Sequence, residues 1–182
     1  AAPALGVANA APAGPTIERV EAEGPTQYGV YVHAPSMAKT IKVQVLVPAV
    51  DRGPRPTLTM LSGLGEEDPT NSMWLRKTDA VNFFRDKNVT VALPLAGNGS
   101  FYTDWYRDDP RLGRYKWETF LTRELPPLLE KRFSGNGIRG IGGLSMGAGS
   151  ALTLAARKPG FFRSVASFSG CYSTADLASQ LP

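Results

Sequence analysis

The alternation of hydrophobic and polar residues predicts strands separated by helices. Residues 41–47 are apolar at nearly every second position, which is typical of a strand with one buried face. Short apolar or strand-like runs predict further strands at residues 27–34, 57–61, 89–93, 138–142 and 165–168. Residues 35–38 are predicted to form the turn between strands 27–34 and 41–47.

Three segments have helical patterns. Asp79 can cap a helix that runs to Lys87, and residues 146–157 form an alanine-rich helix. Residues 116–132 place most of their large apolar side chains on one side, and Pro126 and Pro127 are expected to kink or split that helix. Strands alternating with helices predict an α/β fold, with a mainly parallel sheet covered by helices on both faces. The long irregular stretch 94–115 is expected to be functional or packed under its own side chains.

Residues 1–16 consist mostly of Ala, Pro and Gly and contain no charged side chain, which predicts a flexible tail. The same composition resembles the small-residue stretch around a signal-peptide cleavage site and indicates secretion, although an ordinary disordered tail has it too. Residues 17–182 are then the N-terminal portion of a single domain. No apolar run is long enough for a transmembrane segment.

Charge and residue counts exclude several classes of function. The 20 basic and 16 acidic residues are interleaved, so no stripe of one sign indicates a nucleic-acid partner. A single cysteine, Cys171, excludes an internal disulfide and a cysteine-rich metal site, and no metal or organic cofactor is expected. His33 is the one histidine.

The chemistry centres on Gly143-Leu144-Ser145-Met146-Gly147, which matches the G-x-S-x-G pattern of a nucleophile elbow. The motif lies between a predicted strand and a predicted helix, as that turn requires. Glycines two positions either side of Ser145 leave room for a strained backbone. We therefore predict that Ser145 is a nucleophile and that the N–H of Met146, at the start of the helix, binds a developing oxyanion. A glycine-rich turn with an ordinary capping serine is the alternative.

The other parts of such a site are incomplete in the sequence. The loop after strand 57–61 supplies a candidate second oxyanion donor, the N–H of Leu64, although the same residues also fit a simple strand-ending turn. A serine nucleophile needs a histidine base oriented by an acid, and in this fold both follow the serine. The 37 residues after Ser145 (182 minus 145) contain Asp176 but no histidine. His33 lies in the first predicted strand, and we interpret it as structural.

Several longer segments carry a family resemblance. They are the Ala-Pro-Ser-Met run 34–37 with strand 41–45, Ser-Phe-Tyr-Thr-Asp-Trp-Tyr at 100–106, Tyr-Lys-Trp-Glu-Thr-Phe-Leu-Thr-Arg-Glu-Leu-Pro at 115–126, and the elbow with its following helix. Over roughly residues 28–175 the chain resembles the antigen 85-type mycolyltransferases and their corynebacterial relatives. These are secreted acyltransferases of the cell envelope with the α/β-hydrolase fold.

The resemblance implies that Ser145 takes a mycoloyl chain from trehalose monomycolate. Trehalose, cell-wall arabinogalactan or a protein then accepts the chain. Met146 and Leu64 match the positions whose N–H groups form the family's oxyanion hole. The family's acid and histidine lie in its C-terminal half, so the resemblance implies that this chain is truncated after the strand that follows the elbow. That missing half, in the same or a separate chain, is the implied partner.

The chain also departs from the family. Many members have Asp-Gly-Leu-Arg where residues 62–65 are Ser-Gly-Leu-Gly, so the sugar specificity is open. Ser62, Gly65 and Trp74 are the candidate substrate-binding residues. Acidic residues 66–68 either replace the missing sugar contacts or form a solvated loop. Cys171 either pairs with a cysteine of the missing half or is a free buried thiol.

Two other functions share parts of this pattern. A serine carboxylesterase of the same fold would need the elbow but not the aromatic segments. A non-catalytic envelope or adhesion protein would need neither Ser145 nor a base.

Overall fold

One seven-stranded mixed sheet organises the computed structural model, which describes residues 14–65, 68–170 and 172. The strands are β1 Thr16–Gly24, β2 Gln27–Ala34, β3 Lys39–Leu46, β4 Arg55–Leu61, β5 Thr90–Pro94, β6 Gly135–Leu144 and β7 Ser164–Phe168. Their order across the sheet is β1-β2-β3-β5-β4-β6-β7. Pairing is antiparallel from β1 through β3 to β5 and parallel from β5 through β4 and β6 to β7.

Helices cover both faces of this sheet. They are α1 Met73–Lys77, α2 Ala80–Phe84, α3 Trp117–Thr119, α4 Leu125–Arg132 and α5 Met146–Arg157, with a 3-10 turn Pro35–Met37 and a π-helical turn Phe120–Glu124. The larger core cluster joins residues of α4 and α5 to one face, and residues of α1 and α2 pack on the other. The α/β-hydrolase class is therefore confirmed, while the sheet has as many antiparallel as parallel pairings rather than being mainly parallel.

Alternation along β4 and β5 separates the two cores. Leu61 and Ala92 belong to the larger cluster, whereas Met60, Val91 and Leu93 belong to the smaller one. Neighbouring residues of a strand point to opposite faces, so these buried strands carry apolar residues on both sides. An open groove of about 600 Å³ lies on the α1–α2 face. No helix among the described residues is long and apolar enough to span a bilayer.

Two elements were absent from the sequence prediction. Strand β1 is an edge strand whose residues are exposed or half-buried, so it has no apolar run to reveal it. Helix α1 has five residues, too few for a hydrophobic period, and Ser72 caps it by accepting a hydrogen bond from the Trp74 N–H. Residues 1–13, 66, 67, 171 and 173–182 lie outside the described residues, and with them most of the predicted tail, Cys171 and Asp176.

In the helical segment 117–132 the backbone hydrogen bonding changes to a π-helical turn just before the two prolines that were expected to disturb the helix. Pro126 and Pro127 have no N–H to donate, and they occupy the first turn of α4. The π-helical turn before them separates α3 from α4 without ending the helix. Glu124, in that turn, is buried and accepts hydrogen bonds from the Ser36 N–H at 2.9 Å and the Ser36 hydroxyl at 2.7 Å. The altered turn thus ties this helix to the β2–β3 connection.

Glu118 ties the same helix to α5. Its side chain is 8% exposed and lies 2.7 Å from Arg157 Nε and 3.1 Å from Lys158 Nζ. Burial alone would raise the pKa of Glu118, but the hydrogen bonds from Arg157 and Lys158 outweigh burial and hold the pKa below its ordinary value. A carboxyl group whose pKa is depressed by folding stabilises the fold above its unfolded pKa, and this contribution disappears as the pH falls through the folded value.

Replacing this carboxylate should therefore cost stability in a pH-dependent way. We expect Glu118→Gln to lower the free energy of unfolding at neutral pH, because it removes the ion pairs with Arg157 and Lys158. The loss should be only about 1 kcal/mol, since Arg157 is more than half exposed and solvent weakens the pair. The difference should vanish at acid pH, below the depressed pKa. Urea unfolding across this range measures it. Glu21→Gln, which breaks the exposed Arg19–Glu21 pair, is the matched control and should change nothing measurable. A pH-independent loss for Glu118→Gln would contradict the ion-pair explanation.

Helix α5 begins in backbone contact with the end of β4. A Cβ on Gly147 would lie 2.6 Å from the Ser62 carbonyl oxygen and 2.7 Å from that of Leu61. Both neighbours are backbone, which cannot move aside as a flexible side chain can. Only glycine fits at this position.

We expect Gly147→Ala to destabilise the protein by about 2 kcal/mol, since overpacking of this kind typically costs between about 1 and 3 kcal/mol. Thermal unfolding measures the loss. Gly65→Ala is a control for stability, because no described atom lies within 4 Å of its added Cβ. Equal melting temperatures for the two variants would show that the contact between α5 and β4 can relax.

Candidate active site

Ser145 occupies a strained turn between β6 and α5. Its backbone has φ 54° and ψ −116°, in a region that residues with a side chain rarely adopt. The turn is tight enough that a Cβ on Gly143 would overlap the Gly147 carbonyl group. The two glycines of the motif are thus required by contact with backbone, for the reason expected from the sequence.

The surrounding sheet holds this turn in place while leaving the serine accessible. The Ser145 N–H donates to the Phe168 carbonyl oxygen at 2.9 Å, which extends the pairing of β6 with β7 by one more bond. The Ser145 carbonyl oxygen accepts from the N–H of Ala148 at 3.0 Å, in the first turn of α5. Ser145 itself is exposed. A hydroxyl group in this position can meet a substrate from solvent.

Two backbone N–H groups near Ser145 are available to a ligand. Met146 is the first residue of α5, and the first four N–H groups of a helix have no carbonyl partner within it. The N–H of Leu64 has no acceptor among the described residues. Its loop lies against the nucleophile, since a Cβ on Gly63 would be 3.5 Å from the Ser145 Cβ. The structure therefore brings Ser145, Met146 and the loop of Leu64 together.

His33 is distant from this group. It lies on β2, and β3, β5 and β4 separate β2 from β6 in the sheet. Four strand spacings correspond to about 19 Å. Its Nδ1 is 4.0 Å from Glu18 on β1, and both side chains are partly exposed. This position fits the structural interpretation of His33, and the described residues contain no histidine that could act on Ser145.

The candidate substrate residues have different surroundings. Ser62 is 1% exposed, and its hydroxyl has no hydrogen-bond partner among the described residues. Gly65 is exposed at the loop, and Trp74 is half-buried with its ring 6.3 Å from that of Phe168. Asp68 is occupied within its own loop, where it accepts hydrogen bonds from the N–H and hydroxyl groups of Thr70.

Sequence reasoning missed the side chain that bonds to the start of the Leu64 loop, which is Tyr102. Tyr102 is 1% exposed, and its hydroxyl oxygen accepts a hydrogen bond from the Ser62 N–H at 3.0 Å. It comes from the irregular stretch 94–115, where Phe101 and Tyr102 both have positive φ. The Phe101 carbonyl oxygen accepts from the Ser150 hydroxyl on α5. The density of aromatic residues in that stretch was the available signal, but it does not say which of them approaches the site.

The described part of the chain contains no group of three or more acidic, histidine or cysteine side chains that could hold a metal ion.

Comparison with known proteins identifies relatives of this chain. A family model described as putative esterase matches residues 34–178. The diacylglycerol acyltransferase/mycolyltransferase Ag85A of Mycobacterium leprae (strain TN) is 38% identical over 174 residues, which covers 91% of this chain and 49% of the relative. Ag85C of Mycobacterium avium, with the same enzyme name, is 39% identical over 171 residues, covering 91% and 46%. The chain thus spans about half the length of these curated relatives.

Solved structures show the same fold. Mycobacterium tuberculosis MPT51 (FbpC1) superposes with a TM-score of 0.62 at 31% identity, covering 72% of this chain and 46% of that one. An S-formylglutathione hydrolase from Agrobacterium tumefaciens gives 0.70 at 22% identity, covering 85% and 62%, and supports the fold alone. The family match covers most of the chain and the identity to the Ag85 proteins extends over nine-tenths of it, so the resemblance is confirmed. The chain belongs to the putative esterase family, together with the antigen 85-type mycolyltransferases.

Proposed function

We propose that this chain carries the nucleophile and the oxyanion hole of a serine acyltransferase. The observation that supports it most directly is the exposed Ser145, held at φ 54° on the elbow beside two available N–H groups. A strained, accessible serine at the start of a helix has no structural advantage over glycine there. Its position is the one that acyl transfer requires.

The proposed reaction has two steps. The Ser145 Oγ attacks the ester carbonyl carbon of the donor while its proton passes to a general base, and the donor's alcohol leaves with that proton. An acceptor hydroxyl then attacks the carbonyl carbon of the acyl-enzyme and gives its proton to the base, and the base passes that proton to the Ser145 Oγ as its ester bond breaks. In both steps the N–H groups of Met146 and Leu64 bind the carbonyl oxygen as it becomes negative. Each such donor is worth about 3 kcal/mol in comparable sites.

The names of the relatives support a specific substrate class. We propose that the acyl group is a mycoloyl chain, that trehalose monomycolate donates it, and that trehalose, arabinogalactan or a protein accepts it. An envelope location, after secretion, follows from those substrates. Gly65 and Trp74 border the loop that would meet the sugar. The buried Ser62 hydroxyl would contact it only after the loop rearranges.

The general base and its acid are proposed to lie outside the described residues. Deleting the base of a triad costs several orders of magnitude in rate. We propose that the polypeptide corresponding to the other half of the relatives supplies both groups, in the same chain or a second one. The experiments below therefore use the complete protein, of which this chain is all or part.

Ser145→Ala should abolish turnover of an ester donor, with a loss of about 10⁵-fold in kcat. It should also prevent the covalent acyl-enzyme, which mass spectrometry of wild-type protein mixed with donor would detect as an acylated peptide containing Ser145. Thr153→Ala is the control, because Thr153 is an exposed hydroxyl residue of α5 whose side chain bonds to the Gly149 carbonyl oxygen of its own helix, and it should leave turnover unchanged. Acylation that persists in Ser145→Ala would refute the assignment of the nucleophile.

The ratio of transfer to hydrolysis should separate the candidate functions. We expect the wild-type protein to move an acyl chain from a trehalose ester to free trehalose faster than it releases the fatty acid to water. Chromatography of the mono- and diacylated sugars measures both products. Hydrolysis of short esters without transfer would indicate a carboxylesterase, and binding of the trehalose ester with no Ser145-dependent product would indicate a non-catalytic envelope protein.

A further inference from the structure

One peptide unit at the start of the Leu64 loop forms hydrogen bonds with two aromatic side chains, one through its carbonyl group and one through its N–H group. It joins Leu61, the last residue of β4, to Ser62. The Trp74 Nε1–H donates to the Leu61 carbonyl oxygen at 3.2 Å, and the Ser62 N–H donates to the Tyr102 hydroxyl oxygen at 3.0 Å. Both polar groups of this peptide are therefore bonded to side chains that are distant in sequence. We call this arrangement the peptide clamp.

We propose that Trp74 and Tyr102 are positioning residues that fix the direction in which the Leu64 N–H points. This inference rests on the proposed role of Leu64 as an oxyanion donor. The pairing of β4 with β6 ends at Leu61 and Gly143, so the sheet does not orient the residues that follow. Gly63 has no side chain, and the Ser62 hydroxyl has no partner among the described residues. Among the described residues, the peptide clamp supplies the side-chain hydrogen bonds that orient the start of the loop.

Both sides of the clamp are themselves rigidly supported. Trp74 lies on α1, whose cap residue Ser72 is fully buried and donates its N–H to Gln44 Oε1 at 2.7 Å. Gln44 is 2% exposed and belongs to β3, so the central sheet anchors the indole. Neither end of this connection reaches solvent.

Tyr102 is fixed by its own loop. Its N–H donates to the Ser100 hydroxyl at 3.0 Å, and its ring packs edge-on against Trp117 at 5.3 Å. Gly97 leaves the space that the ring fills, since a Cβ there would lie 2.6 Å from the Tyr102 hydroxyl oxygen. Tyr102 is thus held at φ 48° by a hydrogen bond, a ring contact and the close approach of Gly97.

The clamp is also in contact with the residues that hold the nucleophile. The Trp74 ring contacts the ring of Phe168, and the Phe168 carbonyl oxygen accepts from the Ser145 N–H. The Gly147 backbone lies directly against the clamped peptide. An oxyanion donor works when it lies about 2.7–3.1 Å from the developing charge, and a displacement of about 1 Å can cost about 100-fold in rate. Loosening the clamp should therefore weaken transition-state binding more than substrate binding.

Trp74→Phe and Tyr102→Phe test this, because each removes one hydrogen-bonding group and retains a ring. In the complete protein we expect each variant to lower kcat by about tenfold with KM within about twofold of wild type, as for loss of an interaction made in the transition state. The double variant should lose less than the product of the two single effects, because both bonds orient one peptide. Unchanged kcat in both variants, or a change confined to KM, would overturn the proposal.

Control variants remove a hydroxyl from tyrosines that make no part of the clamp. Tyr28→Phe does so on β2, where the ring packs against Phe133 at 5.8 Å. Tyr115→Phe removes a hydroxyl from a buried tyrosine. Both should keep kcat near wild type, with melting temperatures showing that all variants are folded. Equal losses of kcat in the controls would assign the effect to general packing and contradict a specific clamp.

Hydrogen exchange in the wild-type protein gives a readout that needs neither folded variants nor activity. The Ser62 amide should exchange at least tenfold more slowly than the Leu64 amide, because only the former is bonded within the described structure. Comparable rates would overturn the clamp. If wild-type protein shows no Ser145-dependent turnover while Ser62 is protected, the clamp stands and the proposed function fails.

Discussion

The strained backbone of Ser145 is the constraint on which the rest of the site depends. A serine with positive φ costs on the order of 1–3 kcal/mol and persists only where its surroundings hold it. Here the surroundings are a bond to β7, the first turn of α5 and two glycines that allow close approach. Strand β6 is paired on both sides, with β4 and β7, and helix α5 packs against β6 and β7, so together they impose the turn that joins them. The same imposed geometry exposes the hydroxyl and aligns the helix N-terminus beside it.

The antiparallel half of the sheet supports this site without contributing a residue to it. Strand β3 pairs with β5 and carries Gln44, whose amide reaches across to the cap of α1. The side-chain nitrogen of Gln44 donates to Glu23 on β1 at 2.6 Å, and Lys42 pairs with that carboxylate. The polar groups of two strands, β1 and β3, thus lead to the cap of the helix that carries Trp74.

The sequence predicted the features that are set by neighbours along the chain. The elbow, β2 and α5 depend on local pattern, and the bounds of β2 and α5 agree with the structure. The π-helical turn was anticipated only as a disturbance at Pro126 and Pro127. Features that depend on distant residues were missed: the bond from Ser62 to Tyr102 joins positions 40 residues apart. No periodicity encodes such a contact, and the bond from Trp74 to Leu61 is equally invisible to it.

The π-helical turn Phe120–Glu124 has a consequence for the length of the helical segment that contains it. Glu118 precedes this turn and bonds to Arg157, whereas Glu124 is the last residue of the turn and bonds to Ser36 in the β2–β3 connection. One helix therefore reaches two separate parts of the molecule, and the wider turn sets the angle between its two carboxylates. Each residue of an α-helix turns the next by about 100°. Loss of one residue between them would swing Glu124 away from Ser36 and leave its charge buried without a donor, so the length of this segment is as restricted as that of the elbow, although it lies outside the site.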